Sequence, residues 1–308
     1  MVKCISRFPQ ILCGIVLVSF VSFTVGEISG FSQPGSRHVY PNSIERGCSG
    51  LFSNQHTPNT YEEILLRESK HYLESSKFTN KIQEADAQWK KPQLKHDGRF
   101  GAIHKYLEQL ISDLSTHEPM ILELGFGAGT NMIVAHELLG RRGEVWGLEL
   151  TPGWVSHAKN TYVQAGLHFL HGDITNARSA VKRREFDIIF LADVYEHIPG
   201  YRLQSLWENI VALLKPCGKL YLHIPTEKTQ VAEQAKAGSQ FFEEIVRTET
   251  LQKQANCFGM KIEQTSPDEG INGSRYLSVV LAFDTPLCKT GKGEGGGRGH
   301  DFALFRKP

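Results

Sequence analysis

The run Ile121-Leu122-Glu123-Leu124-Gly125-Phe126-Gly127-Ala128-Gly129-Thr130 constrains the fold of this chain more than any other segment. Four apolar or acidic residues with strand character lead into three glycines at alternate positions, and a helical pattern follows. Glycine lets the backbone turn sharply and come close to a ligand, and the helix that follows begins with unpaired N–H groups. A parallel strand ending in this way presents its tip to a nucleotide-like molecule. The spacing differs from the dinucleotide fingerprint G-x-G-x-x-G, because here one residue separates the second and third glycines.

Further apolar runs repeat the design. Val145 to Leu150 reads as a second strand, with Glu149 about two dozen residues beyond Gly125. A carboxylate at that tip can accept hydrogen bonds from two ribose hydroxyls. Leu167 to Asp173 and Phe186 to Asp193 read as third and fourth strands, each ending in an acid. The fourth is apolar enough to be buried on both faces. Between and after these strands, helical segments are expected over Asn131–Leu139, ending at Gly140, over Gly153–Ala165, ending at Gly166, and over Arg202–Leu214. Strands alternating with helices imply parallel pairing and right-handed crossovers, with ligands at the carboxyl ends of the strands.

The string ELGFGAGT, with the ordered acids behind it, resembles motif I of the class I S-adenosylmethionine-dependent methyltransferases. The resemblance covers residues 98 to 284. It implies a Rossmann-like, doubly wound α/β fold: a mostly parallel sheet with a C-terminal antiparallel pair and helices on both faces. By the family resemblance, Leu213 to Gly218 is expected to be a turn and Lys219 to Ile224 a fifth strand, and Met260–Glu263 and Arg275–Phe283 are expected to form the closing antiparallel pair. The resemblance also implies that S-adenosyl-L-methionine is the cosubstrate. By this resemblance the cosubstrate is held by Glu123, Gly125, Gly127 and Gly129, by Glu149 with Leu150, by Asp173 with Ile174, and by Asp193. Glu149 would take the ribose, Asp173 the adenine amine, and Asp193 the methionine end.

The loop after the fourth strand, Asp193-Val194-Tyr195-Glu196-His197-Ile198-Pro199, is placed for the acceptor's chemistry. A sulfonium methyl is already activated, so the protein aligns the acceptor and, for an oxygen acceptor, removes a proton. His197 is the leading general-base candidate and His223, ending the fifth strand, a second. The bland alternative is a histidine that packs the loop. Asp193-x-x-Glu196-His197 is also similar to the metal-holding E-x-x-E-H run of some O-methyltransferases, with a shorter first acid. A divalent metal on Asp193, Glu196 and His197 therefore remains an alternative to no metal. The signatures of DNA-methylating relatives are absent, so a small-molecule acceptor methylated at oxygen is expected. A noncatalytic scaffold and a nicotinamide-dependent oxidoreductase remain alternatives.

The net charge of +1 carries no sign of the concentrated basic face that phosphate binding needs, so no nucleic-acid partner is expected. Residues 1–26 pair Lys3 and Arg7 with the apolar run Ile11–Val25 and read as a signal peptide or an uncleaved signal anchor. Bipartite organelle targeting is a third reading, and each places the chain in the secretory pathway or at a membrane. Residues 27–97 read as a linker followed by a helical cap, with helices near Thr60–Ser75 and Lys81–Lys90, and a further helix from Arg99 to Leu114 begins the main domain. Residues 285–308 read as a flexible glycine-rich tail. The six cysteines show no metal spacing, and no disulfide can be assigned. Asn272-Gly273-Ser274 is a glycosylation sequon.

Overall fold

A computed structural model describes residues 48–52, 98–182, 185–234, 244–267 and 275–285. The targeting segment, most of the linker and cap, the sequon and the tail lie outside these residues. No helix among the described residues is long and apolar enough to cross a membrane.

Seven strands form one sheet: β1 (Met120–Leu124), β2 (Glu144–Glu149), β3 (Leu167–His171), β4 (Phe186–Ala192), β5 (Leu214–Pro225), β6 (Met260–Pro267) and β7 (Tyr276–Phe283). Their spatial order is β3-β2-β1-β4-β5-β7-β6. The first five pair in parallel, and β7 runs antiparallel to both β5 and β6. The helices are α1 (Gly98–Ser112), α2 (Thr130–Leu138), α3 (Pro152–Thr161), α4 (Ala177–Ala180), α5 (Gly200–Leu213), α6 (Glu227–Gln234) and α7 (Thr248–Cys257).

The near-continuous apolar strands follow from burial on both faces. Ile121, Val145, Ile188, Phe190 and Tyr221 pack beneath α1, α2 and α3. Leu122, Leu124, Leu148, Ile189, Leu191, Leu220 and Leu222 face the other side, with Trp207 and Leu206 of α5 and Leu251 of α7. Trp207 stacks on Phe258 with ring centroids 5.8 Å apart. This is the doubly wound sheet expected from the sequence, and it brings the carboxyl ends of β3, β2, β1 and β4 side by side.

Three boundaries differ from the sequence expectation. The helix expected to reach Ala165 ends at Thr161, because Tyr162 leaves helical geometry and buries its ring against Phe169. All of the expected turn Leu213–Gly218 except Leu213, which ends α5, belongs to β5, whose register against β4 jumps from Phe186↔Leu214 to Ile188↔Lys219. Asp187, opposite the bulge, binds Lys215 Nζ through both oxygens at 2.8 Å and accepts the Met120 N–H at 2.7 Å. Strand β6 runs four residues further than expected, to Pro267, along β7.

The sequence left cysteine pairing open, and the structure joins Cys48 to Cys257 across 209 residues. The 3-10 turn Ser49–Phe52 is thereby held against α7, where Phe52 meets Phe258 edge-on at 5.9 Å. Cys217 is also disulfide-bonded. A crosslink closing so long a loop restricts the unfolded chain, by roughly 5.4 kcal/mol in the chain-entropy limit. Cys48→Ser/Cys257→Ser protein is expected to melt well below the wild type, and reductant should abolish the difference. Equal melting temperatures without reductant would show that the crosslink carries no stability.

Candidate active site

The three glycines of the β1 turn serve different ends. Gly125 donates its N–H to Leu148 O at 2.8 Å and has φ +80°. A Cβ there would lie 2.6 Å from Val194 Cγ2, so this glycine makes room for the loop after β4. Gly127, at φ +52°, would point a Cβ into space with no atom within 4 Å. Of these three glycines, Gly127 thus borders an opening that a ligand could fill. At Gly129, which precedes α2, a Cβ would meet Phe169, Ala158 and Tyr162.

Glu149 closes one side of this opening. Its Oε2 accepts the Gly127 N–H at 3.0 Å and its Oε1 accepts the Thr151 N–H at 2.8 Å. The side chain is buried, yet each oxygen keeps a further lone pair for a hydroxyl donor. The preceding acid, Glu123 in β1, is 1% exposed. Its Oε1 accepts from Asn131 Nδ2 at 3.1 Å, while its Oε2 and Asn131 Oδ1 have no hydrogen-bond partner among the described residues. Burial, with the charge of Glu149 adding to it, holds the Glu123 carboxyl well above the usual carboxylate range. A cationic or hydrogen-bond-donating group entering here would satisfy these atoms. The expected cosubstrate, with hydroxyls, an ammonium and a sulfonium, fits that donor-poor cradle.

Leu150 and Ile174 follow the Glu149 and Asp173 tips, as expected. Asp173 lies just past β3, where its Oδ1 accepts from Thr175 N and Thr175 Oγ1, each at 2.8 Å. Its Oδ2 accepts from Arg202 of α5 at 2.6 Å. Asp193 follows β4 in a left-handed conformation, φ +57°, unusual for a residue with a side chain. Its N–H donates to His223 O at 2.9 Å, and its Oδ1 lies 2.6 Å from His223 Nδ1.

The two histidines part company. His223 has no exposed surface and stacks on Tyr276 at 4.9 Å. It holds Asp193 in place and does not face solvent, which alters its reading as a catalytic candidate. His197 closes the 3-10 turn Tyr195–His197, with 28% of its side chain exposed. Tyr195, by contrast, is enclosed: its OH donates to Gln254 at 2.7 Å and accepts from Trp207 Nε1 at 3.0 Å. Burial raises its pKa far from neutrality, which removes it from acid–base chemistry.

Asp193, Glu196 and His197 do not converge on one point. Asp193 turns to His223, Glu196 is 2% exposed, and His197 Nε2 stands 3.8 Å from Glu196 Oε1. Among the described residues no three His, Cys, Asp or Glu side chains group as metal ligands would. The sequence reading did not single out Asn131, Thr175 or Arg202, whose partners lie on other elements and leave no local pattern.

The comparisons with known proteins agree with this geometry. A methyltransferase-domain family profile matches residues 121–218. Mouse arsenite methyltransferase is 29% identical over 128 residues, which are 38% of this chain and 33% of that protein. The human arsenite methyltransferase is 30% identical over 111 residues, 33% of this chain and 29% of its own length. The chain thus spans about a third of the length of the curated relatives it matches. The crystal structure of an S-adenosylmethionine-dependent methyltransferase from Clostridium acetobutylicum shares the fold, with a TM-score of 0.51 at 14% identity, covering 67% of this chain and 98% of the other. With the glycine turn and the ordered strand-end acids, these matches support a class I S-adenosylmethionine-dependent methyltransferase domain, matched over residues 121–218.

Two variants test the cradle. Glutamine at position 149 offers one acceptor where two N–H groups need one each. Glu149→Gln is therefore expected to weaken S-adenosylhomocysteine binding by about 1.5–3 kcal/mol in calorimetry. Unchanged affinity in a folded variant would contradict the assignment.

The second variant, Glu123→Gln, carries a pH signature. A folded pKa above the unfolded value, near 4.5, means that folding takes up a proton. The associated stability is complete below pH 4.5 and is lost as pH rises through the folded pKa. Glutamine mimics the neutral acid, so this variant should melt like wild type near pH 4 and above it at pH 8. An equal offset at both pH values would show that the carboxyl titrates normally.

Proposed function

We propose that this chain transfers the methyl group of S-adenosyl-L-methionine to a small-molecule acceptor, at oxygen. The observation that carries this reading is the opening beside Gly127, bounded by the buried Glu149 carboxylate at the end of β2. Glu149 would accept the ribose hydroxyls, Asp173 the adenine amine, and Glu123 with Asp193 the cationic methionine end. The cosubstrate supplies an activated methyl, so the protein's tasks are alignment, exclusion of water and management of one proton. His197, half-buried on the loop after β4, would take that proton from an acceptor hydroxyl.

The curated relatives act on arsenite by name, which raises a different acceptor. Trivalent arsenic is soft and favours thiolates. Here Cys48, Cys217 and Cys257 are all committed to disulfides, which supports an oxygen acceptor. Those disulfides, with the charged and apolar N-terminal segment, also support a secretory-pathway location, since such bonds persist in oxidising compartments.

Titration of the full chain with S-adenosylhomocysteine and with NAD tests the reading. Binding of the first alone is expected, and binding of NAD alone would overturn it. Once an acceptor is found by metabolite profiling, His197→Ala should lose about 10²–10⁴-fold in turnover, with S-adenosylhomocysteine affinity unchanged and partial recovery at high pH. Chelator should leave wild-type turnover intact, because the three candidate ligands do not converge. Full activity in a stable His197→Ala protein would leave methyl transfer to alignment alone.

A further inference from the structure

Helix α5 leaves the acceptor loop and reaches back to the tip of β3. Arg202, its third residue and five beyond His197, donates from one terminal nitrogen to Asp173 Oδ2 at 2.6 Å and to Thr175 Oγ1 at 2.7 Å. Two turns later, Asn209 on the same face donates to Thr175 O at 2.9 Å and accepts the Arg178 N–H at 2.7 Å. Asn209 is buried and anchors backbone. Arg202 instead grips a carboxylate that keeps 28% of its side-chain surface exposed. The two residues therefore have separate roles in one interface.

A carboxylate offers about four lone-pair sites. Thr175 N and Thr175 Oγ1 use Oδ1, and Arg202 uses one site of Oδ2. One acceptor direction on Oδ2 remains, suited to a single N–H donor. A free Asp side chain could rotate about its terminal torsion and spread that acceptor over many directions. The Arg202–Thr175 bracket removes this freedom before a ligand arrives, which is the condition for an effective hydrogen bond.

We propose that Arg202 is a positioning residue for the purine amine of the cosubstrate. It fixes Asp173 so that the open side of Oδ2 meets the base, and it ties that subsite to the helix that begins where the His197 loop ends. The inference rests on the adenine assignment made for Asp173 above. Lysine would keep the charge but lose the planar geometry that spans Asp173 and Thr175.

A ligand–variant cycle on the full chain tests this. Affinities are measured by calorimetry for S-adenosylhomocysteine and for its analogue with hydrogen in place of the purine amine. Wild type should bind the analogue at least tenfold more weakly. Arg202→Met should melt near wild type, since Asn209 remains, and bind S-adenosylhomocysteine about tenfold more weakly. Its discrimination against the analogue should fall below about threefold. Arg202→Lys should also lose discrimination, which keeps the test available if the methionine variant does not fold. Wild-type discrimination retained in either folded variant would overturn the proposal and leave Arg202 a structural tie. A wild type that binds both ligands equally would remove the adenine assignment, and this inference with it, while methyl transfer stands. A wild type that binds neither would overturn the functional reading itself.

Discussion

The bond from Gly127 N–H to Glu149 Oε2 joins the two strand ends on which the site depends. It fixes the glycine turn of β1 against the tip of β2, and the second oxygen of the same carboxylate holds the start of the next loop through Thr151. One buried side chain thus sets the spacing of two loops from two strands. The opening beside Gly127 exists because the turn is held in this shape without a side chain to fill it. Binding capacity and backbone geometry share a cause here. The cost falls on a pair of acids, Glu123 and Glu149: burial, and then the charge of Glu149, raises the Glu123 pKa. Such a site is less stable when empty than an apolar one would be, and a cationic ligand relieves it.

The other side of the site is built around the left-handed Asp193. Sterically disfavoured backbone of this kind persists only where its surroundings hold it. Here the holding groups are the His223 carbonyl and imidazole, themselves enclosed beneath Tyr276. Beyond Asp193, Tyr195 is bound by Trp207 of α5 and Gln254 of α7. Gln254 also donates to Leu51 O, next to the Cys48–Cys257 bond. The loop that carries His197 therefore sits on a continuous buried support that ends in a crosslink.

Much of this was legible in the sequence, for a specific reason. Strands buried on both faces are long apolar runs, and their ends stand out when an acid or glycine follows, as at Glu149, Asp173 and Asp193. That pattern gave the order of the parallel strands and the positions of the acids. What was not legible depends on partners distant in the chain. Cys48 and Cys257 are 209 residues apart, with nothing local to pair them. Arg202 looked like an ordinary polar position on a helix until the fold set it beside Asp173. The bulge at Lys215 and the early end of α3 at Thr161 arise from tertiary contacts, with Asp187 and Phe169, that overrule local preference. Asp193-x-x-Glu196-His197 suggested a metal set by spacing alone, but in the fold the left-handed Asp193 turns to His223 while the buried Glu196 lies beside His197.

The central claim is that the opening at Gly127 is the cosubstrate cradle. A crystal structure of the full chain with S-adenosylhomocysteine tests it directly. The ligand should cross Gly127, with both ribose hydroxyls within about 3 Å of the Glu149 carboxylate. Its amine-bearing end should lie toward Glu123. A ligand bound elsewhere, or ribose hydroxyls directed away from Glu149, would contradict the account.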